Sequence, residues 1–174
     1  RYVRRVARAT GMTETGAPIS GQNVQLTDDE YFLRQAIDEA RKALAAGEVP
    51  VGAVLVVDGE ILGRGYNKRE KQQDPLAHAE MEAIRSASER LGCWRVGGSL
   101  YSTLEPCPMC AGAIIMARVE RLVYGAADPK AGAAGSVLNL FEPGLFNHTV
   151  VVSAGVLAEE CGALLQEFFQ ELRS

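Results

Sequence analysis

The chain has 174 residues, which on the usual prior of roughly 100 to 200 residues per domain is one domain's worth. Hydrophobic residues make up 47%, ordinary for a folded globular chain, and this argues against global disorder and against a fibrous architecture. Lys plus Arg is 18 against 22 for Asp plus Glu, a formal net charge of −4, which argues against indiscriminate nucleic-acid binding.

Residues 1–27 read as a flexible N-terminal extension. They are polar, with scattered Gly, Thr, Ser and Pro, and they hold Arg1, Arg4, Arg5 and Arg8 against Glu14 alone. They have no apolar h-region, so they do not read as a secretory signal. Two origins stay open: a transit peptide, or an upstream extension ahead of a start at Met12, which we favour. Residues 28–174 read as the functional domain. No segment approaches the roughly 18 consecutive apolar residues of a membrane span, and the expected location is the cytoplasm.

Thr27-Asp28-Asp29-Glu30 matches a capping box and predicts a helix start, followed by Leu33, Ala36, Ile37, Ala40 and Leu44 at helical spacing. Gly47 predicts its end. Val51 to Val57 is a short apolar run, and Asp58-Gly59 is a two-residue hairpin signal that returns Glu60 to Tyr66 as a second strand. A polar loop from Asn67 to Asp74 leads through Pro75 to a helix over about His78 to Leu91. Ser99 to Thr103 is a third strand, Cys107 to Ala117 a helix, and Arg121 to Tyr124 a fourth strand. A Gly/Ala-rich loop covers Gly125 to Ser136. Val150 to Val152 is a fifth strand, and Leu157, Cys161, Leu164, Leu165, Phe168 and Leu172 stripe a last helix. The order α-β-β-α-β-α-β-β-α predicts a layered α/β domain with helices on the faces of one sheet.

Two motifs carry chemistry: His78-Ala79-Glu80 and Pro106-Cys107-Pro108-Met109-Cys110. Each falls where a loop or strand gives way to a helix. Cys107 and Cys110 share a face in a first helical turn, where partial positive charge favours thiolates. One imidazole and two thiolates suit zinc, and three protein ligands leave the fourth position that a catalytic metal needs. Glu80 can face the same metal as His78 only if the motif straddles the helix start, because residues two apart in a helix point nearly opposite ways. A Cys-x-x-Cys alone leaves two other readings open: a redox pair, or half of a structural zinc site completed by Cys93, Cys161 or His148. Cys161 on its apolar stripe and Cys93 beside Trp94 read more simply as packing. The pairing of His-x-Glu with a later Pro-Cys-x-x-Cys is far more specific than either alone.

That combination resembles the zinc-dependent deaminases of nucleosides and nucleobases. Further segments are similar to the bacterial tRNA-specific adenosine deaminases: Glu48-Val49-Pro50-Val51-Gly52-Ala53-Val54, His78-Ala79-Glu80-Met81, Thr103-Leu104-Glu105-Pro106 running on to Ala113, Asp128-Pro129-Lys130-Ala131-Gly132-Ala133, Asn147-His148, and Glu160-Cys161 with Phe168-Phe169. The likeness runs from about Asp29 to Arg173. The zinc motif is shared with cytidine, guanine and riboflavin-pathway deaminases; the Asp128 loop and the Phe-Phe helix favour the tRNA enzymes.

The resemblance implies a three-layer α-β-α cytidine deaminase-like fold with a five-stranded mixed sheet and helices on both faces. It implies hydrolytic deamination of adenosine to inosine at the wobble position of a tRNA anticodon stem-loop. One Zn²⁺ per subunit would be held by His78, Cys107 and Cys110 and would activate water to attack adenine C6, with Glu80 shuttling protons. Asn67, the backbone N–H of Ala79 and Val51 would bind the flipped nucleotide, and Asp128, Asn147 and His148 would lie near the RNA. Lys68, Arg69, Lys71 and Lys130 could form a phosphate-binding rim. A homodimer is expected, packed through the small-residue helix Ala111 to Ala117. Two departures stand out: the basic extension over residues 1–27, and Ser102 where a valine is common. The rival readings are a deaminase of free guanine or cytidine, and a zinc-stabilised RNA-binding module without catalysis. Glu80 discriminates against the second, since a structural site has no use for a carboxylate beside an open coordination position.

Overall fold

The computed structural model describes residues 22–173, so most of the basic extension over residues 1–27 lies outside the described residues. The first helix, α1, spans Gln22–Ala45. It begins ahead of the predicted Thr27 cap. Gln22 to Leu26 contain neither Gly nor Pro, so nothing local stops the helix from extending backwards, and the Asp29 carboxylate is taken up by Arg121 instead of by the helix end. Leu33, Ala36, Ile37, Ala40 and Ala43 form its inward stripe, each at most 1% exposed. Gly47 adopts the positive φ (73°) that ends the segment.

Strands β1 (Gly52–Val57) and β2 (Glu60–Tyr66) form the predicted hairpin. Asp58 and Gly59 both have positive φ, 51° and 77°, as a type I′ turn requires. A one-turn helix, α2 (Arg69–Gln72), interrupts the loop that the sequence leaves unstructured. Then follow α3 (Ala79–Leu91), β3 (Ser99–Leu104), α4 (Pro108–Met116), β4 (Arg121–Ala126), β5 (Val151–Ala154) and α5 (Ala158–Glu171).

The sheet order is β2-β1-β3-β4-β5. The first two pairings are antiparallel and the last two parallel, which gives the expected five-stranded mixed sheet. Alternation along the strands splits the core in two. Ala53, Leu55, Leu100, Leu122 and Tyr124 face α3 and α4, while Val54, Val56, Tyr101 and Val123 face α1 and α5. The three-layer arrangement is therefore built as predicted. Cys161, 1% exposed, is core packing on the second face.

Two close approaches fix where the helices sit. A Cβ at Gly63 would overlap the carbonyl oxygen of Ala83, and one at Gly65 that of Ala79. Glycines at these alternate positions let α3 lie directly on β2. This seats the first turn of α3 beside the C-terminal end of β3. Open α/β sheets build their sites in the crevice outside the carboxyl ends of such strands.

Candidate active site

Both chemical motifs straddle a helix start. His78 is the N-cap of α3 with extended backbone (φ −80°, ψ 152°), and its carbonyl accepts from the N–H of Glu82 at 3.0 Å. Cys107 is the N-cap of α4 (φ −71°, ψ 170°), with Pro108 next to it, where a missing N–H does no harm. The extended cap residue turns its side chain away from the helical course. His78 and Glu80 can therefore converge, and Cys107 can meet Cys110 from the first turn.

His78 Nδ1 lies 3.7 Å from Cys107 Sγ and 3.5 Å from Cys110 Sγ, and all three ligand atoms fall within 4.8 Å of one another. Zinc bonds of about 2.3 Å to sulfur and 2.0 Å to nitrogen, set tetrahedrally, would separate N from S by about 3.5 Å. The donor set and its spacing fit that metal. Among the described residues this is the one such cluster, and Cys93, Cys161 and His148 do not complete it.

The electrostatics point the same way. The Cys107 thiol is pulled down to about 4, first by a hydrogen bond from Cys110 and also by the His78 ring, against the opposing effect of burial. Cys110 is pushed up, first by Cys107 and then by its own burial. His78 is raised by its hydrogen bond to Cys107. Two thiols this close hold one proton between them, and a divalent cation is what lets both ionise. Glu80 is 3% exposed, and burial pushes its carboxyl up to about 7.

The cluster opens on a cleft of about 220 Å³ lined by Val49, Val51, Asn67, Arg69, His78, Ala79, Glu80, Leu104, Glu105, Cys107, Asp128 and Ala131. Every site residue named from the sequence is thus in or behind it, save two. Asn147 accepts from Arg118 at 2.9 Å and His148 Nε2 lies 2.6 Å from the Val119 carbonyl oxygen, so both tie their loop to the end of α4 and do not line the cleft. Of the four cations read as a rim, Arg69 lines the cleft. Lys68 is paired with Glu82 at 3.1 Å and lies over the Tyr66 ring. Lys71 and Lys130 are exposed.

Sequence reasoning did not single out Glu48 or Glu105, each 1% exposed. The signal that could have found them is an acid wedged beside Pro at the edge of an apolar run, in Glu48-Val49-Pro50 and Leu104-Glu105-Pro106. The Glu48 carboxylate accepts from the N–H groups of Glu70 (3.2 Å) and Lys71 (2.7 Å), which caps α2 from a distance. Glu105 accepts from the N–H groups of Asp128 (2.9 Å), Ala134 (3.0 Å) and Ser136 (3.0 Å) and from the Ser136 hydroxyl. Burial, the largest influence on Glu105, pushes its carboxyl upward, but these donors together outweigh it and hold it below the usual range.

A paired helix-cap arrangement of His78 and Cys107, with a buried acid in the first turn of α3, defines a zinc-binding deaminase site. The chain belongs to the cytidine and deoxycytidylate deaminase zinc-binding family, whose zinc-binding region matches residues 26–126. It is 54% identical over 149 residues to the tRNA-specific adenosine deaminase of Bacillus subtilis, covering 85% of this chain and 92% of that protein. A structure solved in a study of A-to-I editing by tRNA:A34 deaminases superposes with a TM-score of 0.74 at 46% identity, covering 78% of this chain and 99% of that one. Guanine deaminase from Bacillus subtilis matches less extensively, with a TM-score of 0.54 at 44% identity over 56% of this chain and 64% of that one.

Proposed function

We propose that this protein deaminates adenosine to inosine at the wobble position of a tRNA anticodon stem-loop. The observation that carries the reading is the Glu80 carboxyl, buried against the His78-Cys107-Cys110 cluster at the floor of a cleft open to solvent. The similarity to tRNA-specific adenosine deaminases selects the substrate among deaminase chemistries. A zinc held by His78, Cys107 and Cys110 supplies the Lewis acidity that makes water a nucleophile at neutral pH.

The chain's own groups do the rest. With its proton affinity near neutrality, the Glu80 carboxyl takes a proton from the attacking water and passes it to the adenine ring nitrogen. It then takes the remaining proton from the hydroxyl now on C6 and gives it to the departing amine, so that C6=O forms as the C6–N bond breaks and adenosine and water become inosine and ammonia. Asn67 Nδ2 donates to the Val49 carbonyl at 3.3 Å, which fixes the amide so that Oδ1 can accept from the flipped nucleotide. Ala79 is the first residue of α3, so its N–H has no acceptor within the helix and is suited to the base edge. Val51, 8% exposed, walls the base on one side and Asp128 on the other.

The test is turnover. Incubation with an anticodon stem-loop carrying a wobble adenosine should yield inosine, while free adenosine, cytidine and guanine should not react. Turnover of a free compound with none on the stem-loop would replace this reading by that of a small-molecule deaminase. We further propose a cytoplasmic homodimer packed through α4, where Met116 is 68% exposed. No helix among the described residues is long and apolar enough to cross a membrane. A monomer mass by light scattering at micromolar concentration would overturn the dimer.

A further inference from the structure

The cleft has two walls built from loops, and each loop is held by one buried carboxylate. On one side lie Asp128 and Ala131, from the long connection after β4; on the other lies Arg69, from α2. Neither segment has much regular structure to hold it. The connection after β4 carries a single isolated bridge, Ala134 to Asn139, and α2 is one turn long with no buried residue. Loops of this kind take their shape from whatever satisfies their backbone groups.

Glu105 satisfies three backbone N–H groups of its wall and one hydroxyl. The Ala133 N–H also reaches the Pro106 carbonyl at 2.8 Å. A Cβ at Gly132 would overlap the Glu105 carboxylate, so the loop is wrapped tightly round that group. Glu48 does the same for Glu70 and Lys71. Neither carboxylate has an ion-pair partner among the described residues; Glu48 is spent on backbone donors, and Glu105 on backbone donors and the Ser136 hydroxyl. An ionised acid accepting several N–H bonds in a dry setting is a strong anchor.

We infer that Glu48 and Glu105 are positioning residues that hold the two walls of the cleft in the arrangement that binds substrate. The inference rests on the deaminase reading above. If a wall is competent in only a fraction of molecules, apparent affinity falls by that fraction while chemistry on the bound complex is unchanged. The effect belongs in KM and not in kcat.

Glu105→Gln and Glu48→Gln preserve size and remove the charge. An amide offers donors at one of its two ends, so whichever way it turns, at least one backbone N–H loses its acceptor. Both variants should keep one zinc per chain. On the stem-loop each should raise KM about tenfold with kcat within threefold of wild type. Ser136→Ala, which removes only one donor to Glu105 from an exposed position, should raise KM in the same direction by less. Amide hydrogen exchange should quicken at Asp128, Ala134 and Ser136 in Glu105→Gln, and at Glu70 and Lys71 in Glu48→Gln, whatever the enzyme's substrate is. An unchanged KM in folded variants, or exchange unaltered at those amides, overturns the inference. So does a loss of kcat with a loss of zinc, because Glu105 would then be acting on the Cys107 helix. Failure of the wild type on the stem-loop sinks the functional reading alone, since exchange still reports on the walls.

Discussion

Asp29 on α1 grips Arg121 on β4 with both carboxylate oxygens, each 2.6 Å from a guanidinium nitrogen. The pair is the bolt between the first helix and the sheet, and Ser153 on β5 adds a third contact to Arg121 at 3.0 Å. Removing one partner of a buried, bidentate pair strands the other charge. Asp29→Ala should therefore lower stability by about 2–3 kcal/mol, less than for a fully buried pair because Arg121 keeps 21% of its side chain exposed. Denaturant titration measures this, and activity per folded molecule should be unchanged, since neither residue lines the cleft.

The same carboxylate accepts from Tyr101 at 3.0 Å. Burial first, and then Asp29, push the Tyr101 phenol well above its ordinary range, against a smaller downward pull from Arg121. A group raised in the folded state contributes stability that is intact below its unfolded value, about 10 for Tyr, and is lost as pH climbs towards the folded value. Stability should thus decline above about pH 10, and Tyr101→Phe should make that decline shallower. Parallel slopes for the two proteins in urea titrations across this alkaline window would contradict it.

Glu80→Ala should keep zinc and fold and lower kcat by about 10²–10⁴-fold, the usual weight of a positioned proton carrier. Metal content by atomic absorption and single-turnover rates are the measurements. Retained activity would remove Glu80 from the proton path.

Cys107→Ala deletes a ligand at the cap of α4. With two protein ligands left, bound zinc should fall to a small fraction of one per chain and activity should fall with it. One metal per chain in the purified variant would show that the ligand set is drawn wrongly.

Gly65→Ala tests the seat of α3. The added methyl meets the carbonyl of Ala79, the residue next to His78, whereas at Gly63 it meets Ala83 one turn further on. Both should lose about 1–3 kcal/mol by overpacking. Gly65→Ala should also weaken zinc affinity and turnover, and Gly63→Ala much less. Equal zinc affinities in the two variants would show that displacement at Ala79 does not reach the ligand.

The sequence carried the metal site almost whole because the site depends on local offsets. Asp74-Pro75 and Pro106-Cys107-Pro108 mark helix starts, and once His78 and Cys107 are cap residues the convergence of Glu80 and Cys110 follows. The hairpin was equally local, set by Asp58-Gly59. What escaped depended on partners far along the chain. The one-turn α2 exists where Glu48 can cap it from some 20 residues upstream, which no window over residues 67–74 can reveal. The start of α1 was misplaced because a capping box permits a helix end without compelling one. Asn147 and His148 are expected near the RNA from the resemblance alone; that their side chains reach Arg118 and Val119 is set by partners 29 residues away, which no local pattern reveals.

His78 and Cys107 stand 29 residues apart in the chain, on separate helices, with β3 between them. A metal shared by them is a cross-link. In the chain-entropy model used for disulfides, closing a loop of that length is worth roughly 3–4 kcal/mol against the unfolded state. The ion that serves chemistry therefore also rivets α3 to α4, and the scarcity of zinc in a cell would be felt as fragility of the fold as well as loss of turnover.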